Sequence, residues 1–211
     1  MSGTRRLPDA VARRRAVSAA GHRGDAGPAR DALHDPDPGV RGAALGALVR
    51  LGAVTAADIQ GALDDTDPAV RRRAAEEAGR AGVGPLGEAL VACLDDADHG
   101  VSEAAAHALG ELDPAPDGAV ARLAAAATGH EDVLVREASV AALGSIGDTA
   151  GLAAVLAATT DVATVRRRAA LALAAFDGAD VEAALQRLAT DRDRQTRQAA
   201  EDLLHGWGTT D

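Results

Sequence analysis

The chain predicts an all-α solenoid, a curved stack of antiparallel helix pairs, and three observations predict it. A Val-Arg pair returns at Val40-Arg41, Val70-Arg71, Val135-Arg136 and Val165-Arg166, with weaker copies at Ala12-Arg13, Val101-Ser102 and Thr196-Arg197. Successive copies stand 28, 30, 31, 34, 30 and 31 residues apart. At such a period each unit buries its apolar face only against its neighbours. Within each copy small or apolar residues recur at offsets 0, 4, 8 and 11 from the Val, which is one face of a helix. Asp stands where a helix would begin, at Asp9, Asp37, Asp67, Asp98, Asp132 and Asp193.

Each element follows from these positions. Asp37-Pro38 and Asp67-Pro68 put an N-cap before a proline at the first helical position; the other Asp residues cap without the proline. Offset 4 is always small: Ala16, Ala44, Ala74, Ala105, Ser139, Ala169 and Ala200. A residue of that size lets a neighbouring backbone approach closely. Offset 8 brings Ala20, Leu48, Ala78, Leu109, Leu143, Leu173 and Leu204, and offset 11 brings Arg23, Leu51, Ala81, Leu112, Ile146, Phe176 and Trp207. Glycines follow at Gly52, Gly82, Gly110, Gly144, Gly147 and Gly208, where a helix C-terminus needs positive φ. Between copies lie shorter apolar segments, among them Pro85–Leu94, Gly118–Ala127, Leu152–Ala158 and Val181–Ala189. The unit is therefore helix, turn, helix, and about thirteen helices are expected.

Two segments carry a resemblance: Asp35-Pro-Asp-Pro-Gly-Val-Arg-Gly-Ala-Ala-Leu-Gly-Ala-Leu and Asp65-Thr-Asp-Pro-Ala-Val-Arg-Arg-Arg-Ala-Ala. They resemble the second helix of HEAT repeats, and the short period resembles the phycobilisome-lyase HEAT-like subtype. The resemblance covers residues 9–208. It implies one solenoid over residues 1–211, of about seven repeats, the first supplying only its second helix. It also implies that second helices line a concave surface, and that the recurrent Arg forms a ladder with Asp along the array. The ladder would comprise Arg41, Arg71, Arg136, Arg166 and Arg197 with Asp37, Asp67, Asp98, Asp132 and Asp193. A cation in the first turn of a helix opposes its dipole, so nearby carboxylates are required. Bidentate geometry favours Arg over Lys there.

The remaining charges supply candidate binding residues. Arg14-Arg15, Arg72-Arg73 and Arg167-Arg168 sit beyond the ladder, and Glu103 and Glu137 hold the second position in intervening copies. With Glu76, Glu77 and His107 they predict a mixed polar groove suited to a charged peptide or protein surface. Residues 1–31 hold seven Arg against three Asp, whereas residues 32–211 hold fifteen Arg against 29 acids. That distribution disfavours a continuous phosphate-binding track.

Composition bounds the function classes. Hydrophobic residues make up 47% and aromatics 1%, so the core must be Ala, Leu and Val, and base stacking of the kind used by HEAT-like DNA glycosylases lacks its side chains. All 22 basic residues are Arg, a mark of a high-GC, bacterial genome. The single cysteine, Cys93, reads as a small core residue and admits no intrachain disulfide. Arg5-Arg6 is followed by Asp9 and Arg13–Arg15 rather than an apolar stretch, so no twin-arginine signal is predicted and a cytoplasmic location is. The di-iron deoxyhypusine hydroxylases resemble this chain in repeat type but use several His-Glu pairs; here there is one, His130-Glu131. No catalytic motif of the bilin lyases can be matched. The expected function is a non-enzymatic protein-interaction scaffold, monomeric, with no cofactor or metal, whose partner is another protein or peptide. Lyase-type or other HEAT-like enzyme activity and nucleic-acid binding through the Arg doublets are the alternatives.

Overall fold

The computed structural model describes residues 9–81 and 86–207. Arg5-Arg6, Gly82, Pro85 and Gly208, and the side chains of Ala81 and Trp207, lie outside what it describes. Thirteen α-helices and no strand occur among the described residues. Seven are the repeat-bearing helices: α1 (Ala10–His22), α3 (Pro38–Arg50), α5 (Pro68–Ala81), α7 (His99–Glu111), α9 (Val133–Ile146), α11 (Ala163–Ala172) and α13 (Arg194–Trp207). Between them lie α2 (Gly27–Asp31), α4 (Ala56–Leu63), α6 (Gly87–Cys93), α8 (Ala119–Gly129), α10 (Leu152–Ala158) and α12 (Ala179–Leu188). The fold is an all-α solenoid.

Contacts divide the chain into two units, residues 1–86 and 87–211. In the first, α1 packs on α3 and α3 on α5, with α2 against α3 and α4 against α5. In the second, α7, α9, α11 and α13 pack in succession, and α6, α8, α10 and α12 each pack on the long helix that follows. The predicted stripe is the seam: Val40, Ala44 and Leu48, Val101, Ala105 and Leu109, and Val165, Ala169 and Leu173 are all fully buried. The short helices contribute Ile59, Leu90, Leu123, Val155 and Leu185. Burying such a side chain is worth roughly 1.5–3 kcal/mol, so an almost aromatic-free chain still closes its core.

Three local expectations fail, each for a visible reason. In α1 the stripe residues Ala12, Ala16 and Arg23 are exposed, and Val17 and Ala20 make the core contact. Among the described residues α1 has helices only on its α2–α3 side, so its register turns toward them. Secondly, α11 starts at Val162 with no side-chain cap, whereas Asp9, Asp37, Asp98 and Asp132 accept first-turn amides as predicted. Thirdly, Gly52 and Gly147 have positive φ but Gly110 and Gly144 do not. A Cβ on Gly110 would come within 2.8 Å of the Ala142 Cα, and one on Gly144 within 2.8 Å of the Ala172 Cα. Those two glycines serve close helix approach rather than helix termination.

Candidate functional site

The Asp-x-Asp turns show how the repeat is joined to its neighbour. In Asp35–Asp37, Asp65–Asp67, Asp96–Asp98 and Asp191–Asp193 the first carboxylate accepts the amide of the second Asp, at 2.7–2.9 Å. The second Asp turns to the helix N-terminus and accepts its amides, as Asp37 does from Val40, Asp67 from Ala69 and Asp193 from Thr196.

Asp35, Asp65 and Asp191, and Asp161 at the turn before α11, then receive the Arg of the preceding repeat. Arg13 donates through Nε and Nη2 to Asp35 at 2.7 and 2.8 Å, and Arg41 to Asp65 at 2.7 and 2.6 Å. In the second unit Arg136 donates to Asp161 at 2.7 and 2.9 Å, and Arg166 to Asp191 at 2.8 Å through both nitrogens. Each ladder Arg also reaches back to a carbonyl of its own turn: Arg41 to Asp35, Arg71 to Asp65, Arg136 to His130, Arg166 to Asp161 and Arg197 to Asp191, at 2.6–2.9 Å.

The carboxylates of these four forks are Asp35, Asp65, Asp161 and Asp191, and the assignment of Asp37, Asp67, Asp98, Asp132 and Asp193 to the rungs is corrected. Those five are committed to helix amides, and an Asp at a cap points away from the incoming guanidinium. They still act through space, since Asp67 adds to the stabilisation of the Arg41 charge and Asp193 to that of Arg166. The Arg hydrogen bond outweighs partial burial and holds Asp35, Asp161 and Asp191 below the ordinary carboxylate range.

One joint differs. His130 stands where the first Asp of a turn would be, and its Nδ1 accepts the Asp132 amide at 3.0 Å. The preceding helix carries Ser102 in place of Arg, buried, with its Oγ 3.4 Å from the Asp96 carbonyl. Both halves of the rung are changed together. His99 bridges the place instead, 3.0 Å from Glu131 and 3.5 Å from Asp132, with its ring edge-on to His130 at 5.2 Å.

The candidate binding residues fall into separate places. In the first unit Arg14, Arg72, Arg73 and Glu76 line one groove of about 580 Å³ with Ser18, Arg50 and Asp67. Arg15 is exposed but is not among its lining residues. Arg73 is held to the buried Glu77, which Arg80 also approaches at 3.4 Å. In the second unit Glu103 lies 3.9 Å from His107, Arg168 donates to Glu137 at 3.2 Å, and Arg167 reaches Gln195. Arg168 also borders a shallow apolar notch of about 380 Å³ with Leu171 and Gly144. Sequence reasoning missed Arg50 and Ser18. Glycines at 39, 42 and 46 leading to Arg50, spaced as one helix face, were the signal available for the first.

The comparisons with known proteins bear on this geometry. The sequence model of the family described as HEAT repeats matches residues 2–78, 55–123 and 87–166. The chain belongs to the HEAT-repeat family. No curated protein matches its sequence. Among solved structures, this HEAT-repeat protein is similar to YibA of E. coli, at TM-score 0.64 and 16% identity over 96% of this chain and 77% of that one. A designed armadillo repeat protein in complex with the peptide (KR)4 is similar at TM-score 0.63 and 18% identity, over 85% and 98%. An engineered protein gives 0.57 and 19%, over 92% and 97%. At these identities the likeness shows fold alone. Among the described residues of the HEAT-repeat protein, no helix is long and apolar enough to cross a membrane, and no group of three or more His, Cys, Asp or Glu side chains is placed to hold a metal ion.

Proposed function

We propose that this HEAT-repeat protein is a non-enzymatic interaction scaffold, one array over residues 1–211, whose protein or peptide partner docks on the concave face of its long helices. The observation that carries the reading is a division of labour among the arginines. Arg13, Arg41, Arg136 and Arg166 are consumed by the ladder, while Arg14, Arg72, Arg73, Arg167 and Arg168 project from the same helices and line grooves or cross to neighbouring helices. Extended surface is what this architecture chiefly offers. The peptide bound by the designed armadillo protein supports the mode of docking, not the identity of a partner.

Affinity capture with the full chain, followed by mass spectrometry, finds the partner. Reversing charge at Glu103, Glu137 and Arg72 should then weaken its capture without altering helical circular dichroism. Reversal at Glu88 and Glu182, exposed on the short helices α6 and α12, should leave it unchanged. A partner lost only on the short-helix reversals would overturn the assignment.

A further inference from the structure

The groove of the first unit has a floor without side chains. Gly39, Gly42 and Gly46 share one face of α3, and Arg50 continues it one turn on. A Cβ on Gly42 would meet nothing within 4 Å, so the middle of the groove is open. At one end a Cβ on Gly39 would lie 3.1 Å from the capping carboxylate of Asp37 and 3.7 Å from a guanidinium nitrogen of Arg14; at the other, one on Gly46 would lie 2.9 Å from Arg73 and 3.5 Å from Arg50. The guanidinium groups therefore lean over bare backbone at both ends. Seven residues of helix separate the ends by about 10 Å.

The cations are incompletely matched. Among the described residues Arg14 and Arg50 have no carboxylate within ion-pairing distance, and Arg72 has only a long contact to Glu76 at 3.7 Å. Arg73 has a buried Nε with no hydrogen-bond partner among them. Four guanidinium groups line the groove with two carboxylates, Asp67 and Glu76, and Arg73 is also paired with the buried Glu77, which leaves Arg14 and Arg50 as the unmatched cations. Residues 1–86 hold thirteen Arg against eleven acids, and residues 87–211 hold nine against 21. Local positive charge is thus set into a chain of net charge −10, and field beyond about 8–10 Å is screened at physiological salt.

We infer that this groove binds an acidic peptide segment carrying two carboxylates about 10 Å apart, one taken by Arg14 and the other by Arg50 with Arg73. The inference rests on the scaffold reading and deepens it. In a polyproline-like segment, with three residues per turn, residues three apart share a face and are separated by about 9 Å, which matches the two ends. The glycine floor lets the peptide backbone lie against the helix. A nucleic-acid strand fits less well, because Asp67 and Glu76 interrupt the positive lining along which its phosphates would run and no aromatic side chain lines it to stack a base.

The test is fluorescence anisotropy with the full chain and three labelled probes: a repeating Glu-Gly-Ser peptide, its Lys-Gly-Ser counterpart and an oligothymidylate of equal charge. The Glu peptide should bind, weaken on raising salt, and lose about tenfold or more in affinity in Arg14→Glu with Arg50→Glu. Gly42→Leu should block it equally while keeping the helical spectrum, since the added side chain points into open space. No binding of the Glu peptide, or binding indifferent to all three substitutions, overturns the inference. Tighter binding of oligothymidylate at the same residues overturns it in favour of nucleic acid. The two readings fail separately: a captured partner lost on Glu103 and Glu137 reversal but indifferent to Arg14, Arg50 and Gly42 removes the acidic-peptide groove and leaves the scaffold.

Discussion

A ladder Arg is bound at three points, to two oxygens of the next turn and one carbonyl of its own, so its loss leaves a carboxylate in a partly desolvated place. Arg166 is the clearest case, its side chain 9% exposed and that of Asp191 13%. Arg166→Met is expected to cost about 1–3 kcal/mol, read as a lower thermal midpoint. Arg72→Met, at 56% side-chain exposure, should change stability by less than about 0.5 kcal/mol. Equal effects would refute the division between the two classes. The joint at Ser102 and His130 makes a second prediction. Ser102→Arg alone places a cation opposite a histidine and should destabilise. Combined with His130→Asp it restores the rung, so the double variant should melt above the level that the two single changes predict by addition. That Arg13, Arg41, Arg136 and Arg166 would find an Asp partner follows from the repeat. Which Asp does not, because Asp-x-Asp offers two carboxylates of one type, and only the turn geometry commits one to the amide ladder and the other to the guanidinium.

Helix existence and order were legible because the period-3.6 stripe and the Asp caps agree on them. Glycine was the ambiguous letter. Gly52, Gly147, Gly110 and Gly144 look alike in a list of repeat positions, yet two turn the chain and two let helices touch. The distinction depends on which residue of the next helix lies opposite, which no single repeat contains. Gly144→Ala is expected to destabilise by about 1–3 kcal/mol, since its new methyl meets the backbone of Ala172. Gly61→Ala, where nothing lies within 4 Å, should stabilise by about 0.5–1 kcal/mol through helix propensity. Chemical denaturation of the two variants distinguishes packing from conformational freedom. Sequence reasoning named charged residues of the groove's walls on α1 and α5, but its floor escaped for the same reason, being an absence of side chains on α3.

For the molecule as a whole, the ladder sets the response to acid. Asp35, Asp161 and Asp191 are each held below the ordinary carboxylate range, chiefly by the Arg13, Arg136 and Arg166 hydrogen bonds. A carboxyl whose pKa is depressed on folding adds stability that is complete above its unfolded value, about 3.9, and is lost as the pH falls through the lower folded value. Stability from these groups should therefore be flat from neutrality down to about pH 5 and fall below about pH 4. Thermal melts across that range check it, and in Arg166→Met the fall should be shallower because Asp191 no longer loses a partner on protonation. A midpoint that drops already between pH 7 and 5 would assign acid sensitivity to other groups.

The joint at Ser102 and His130 has a consequence for how such a chain can be rearranged. Wherever every repeat offers an Arg forward and an Asp backward, copies are interchangeable, and a repeat can be duplicated or removed without leaving an unmatched end. Here the ends are of a different gender: a Ser-bearing helix followed by a His-bearing turn. A copy taken from elsewhere and inserted at this joint would bring an Asp facing Ser102 and an Arg facing His130. Between α7 and α9 the chain thus carries a punctuation mark, a seam at which exchange of repeats is penalised and the order of the flanking modules is kept.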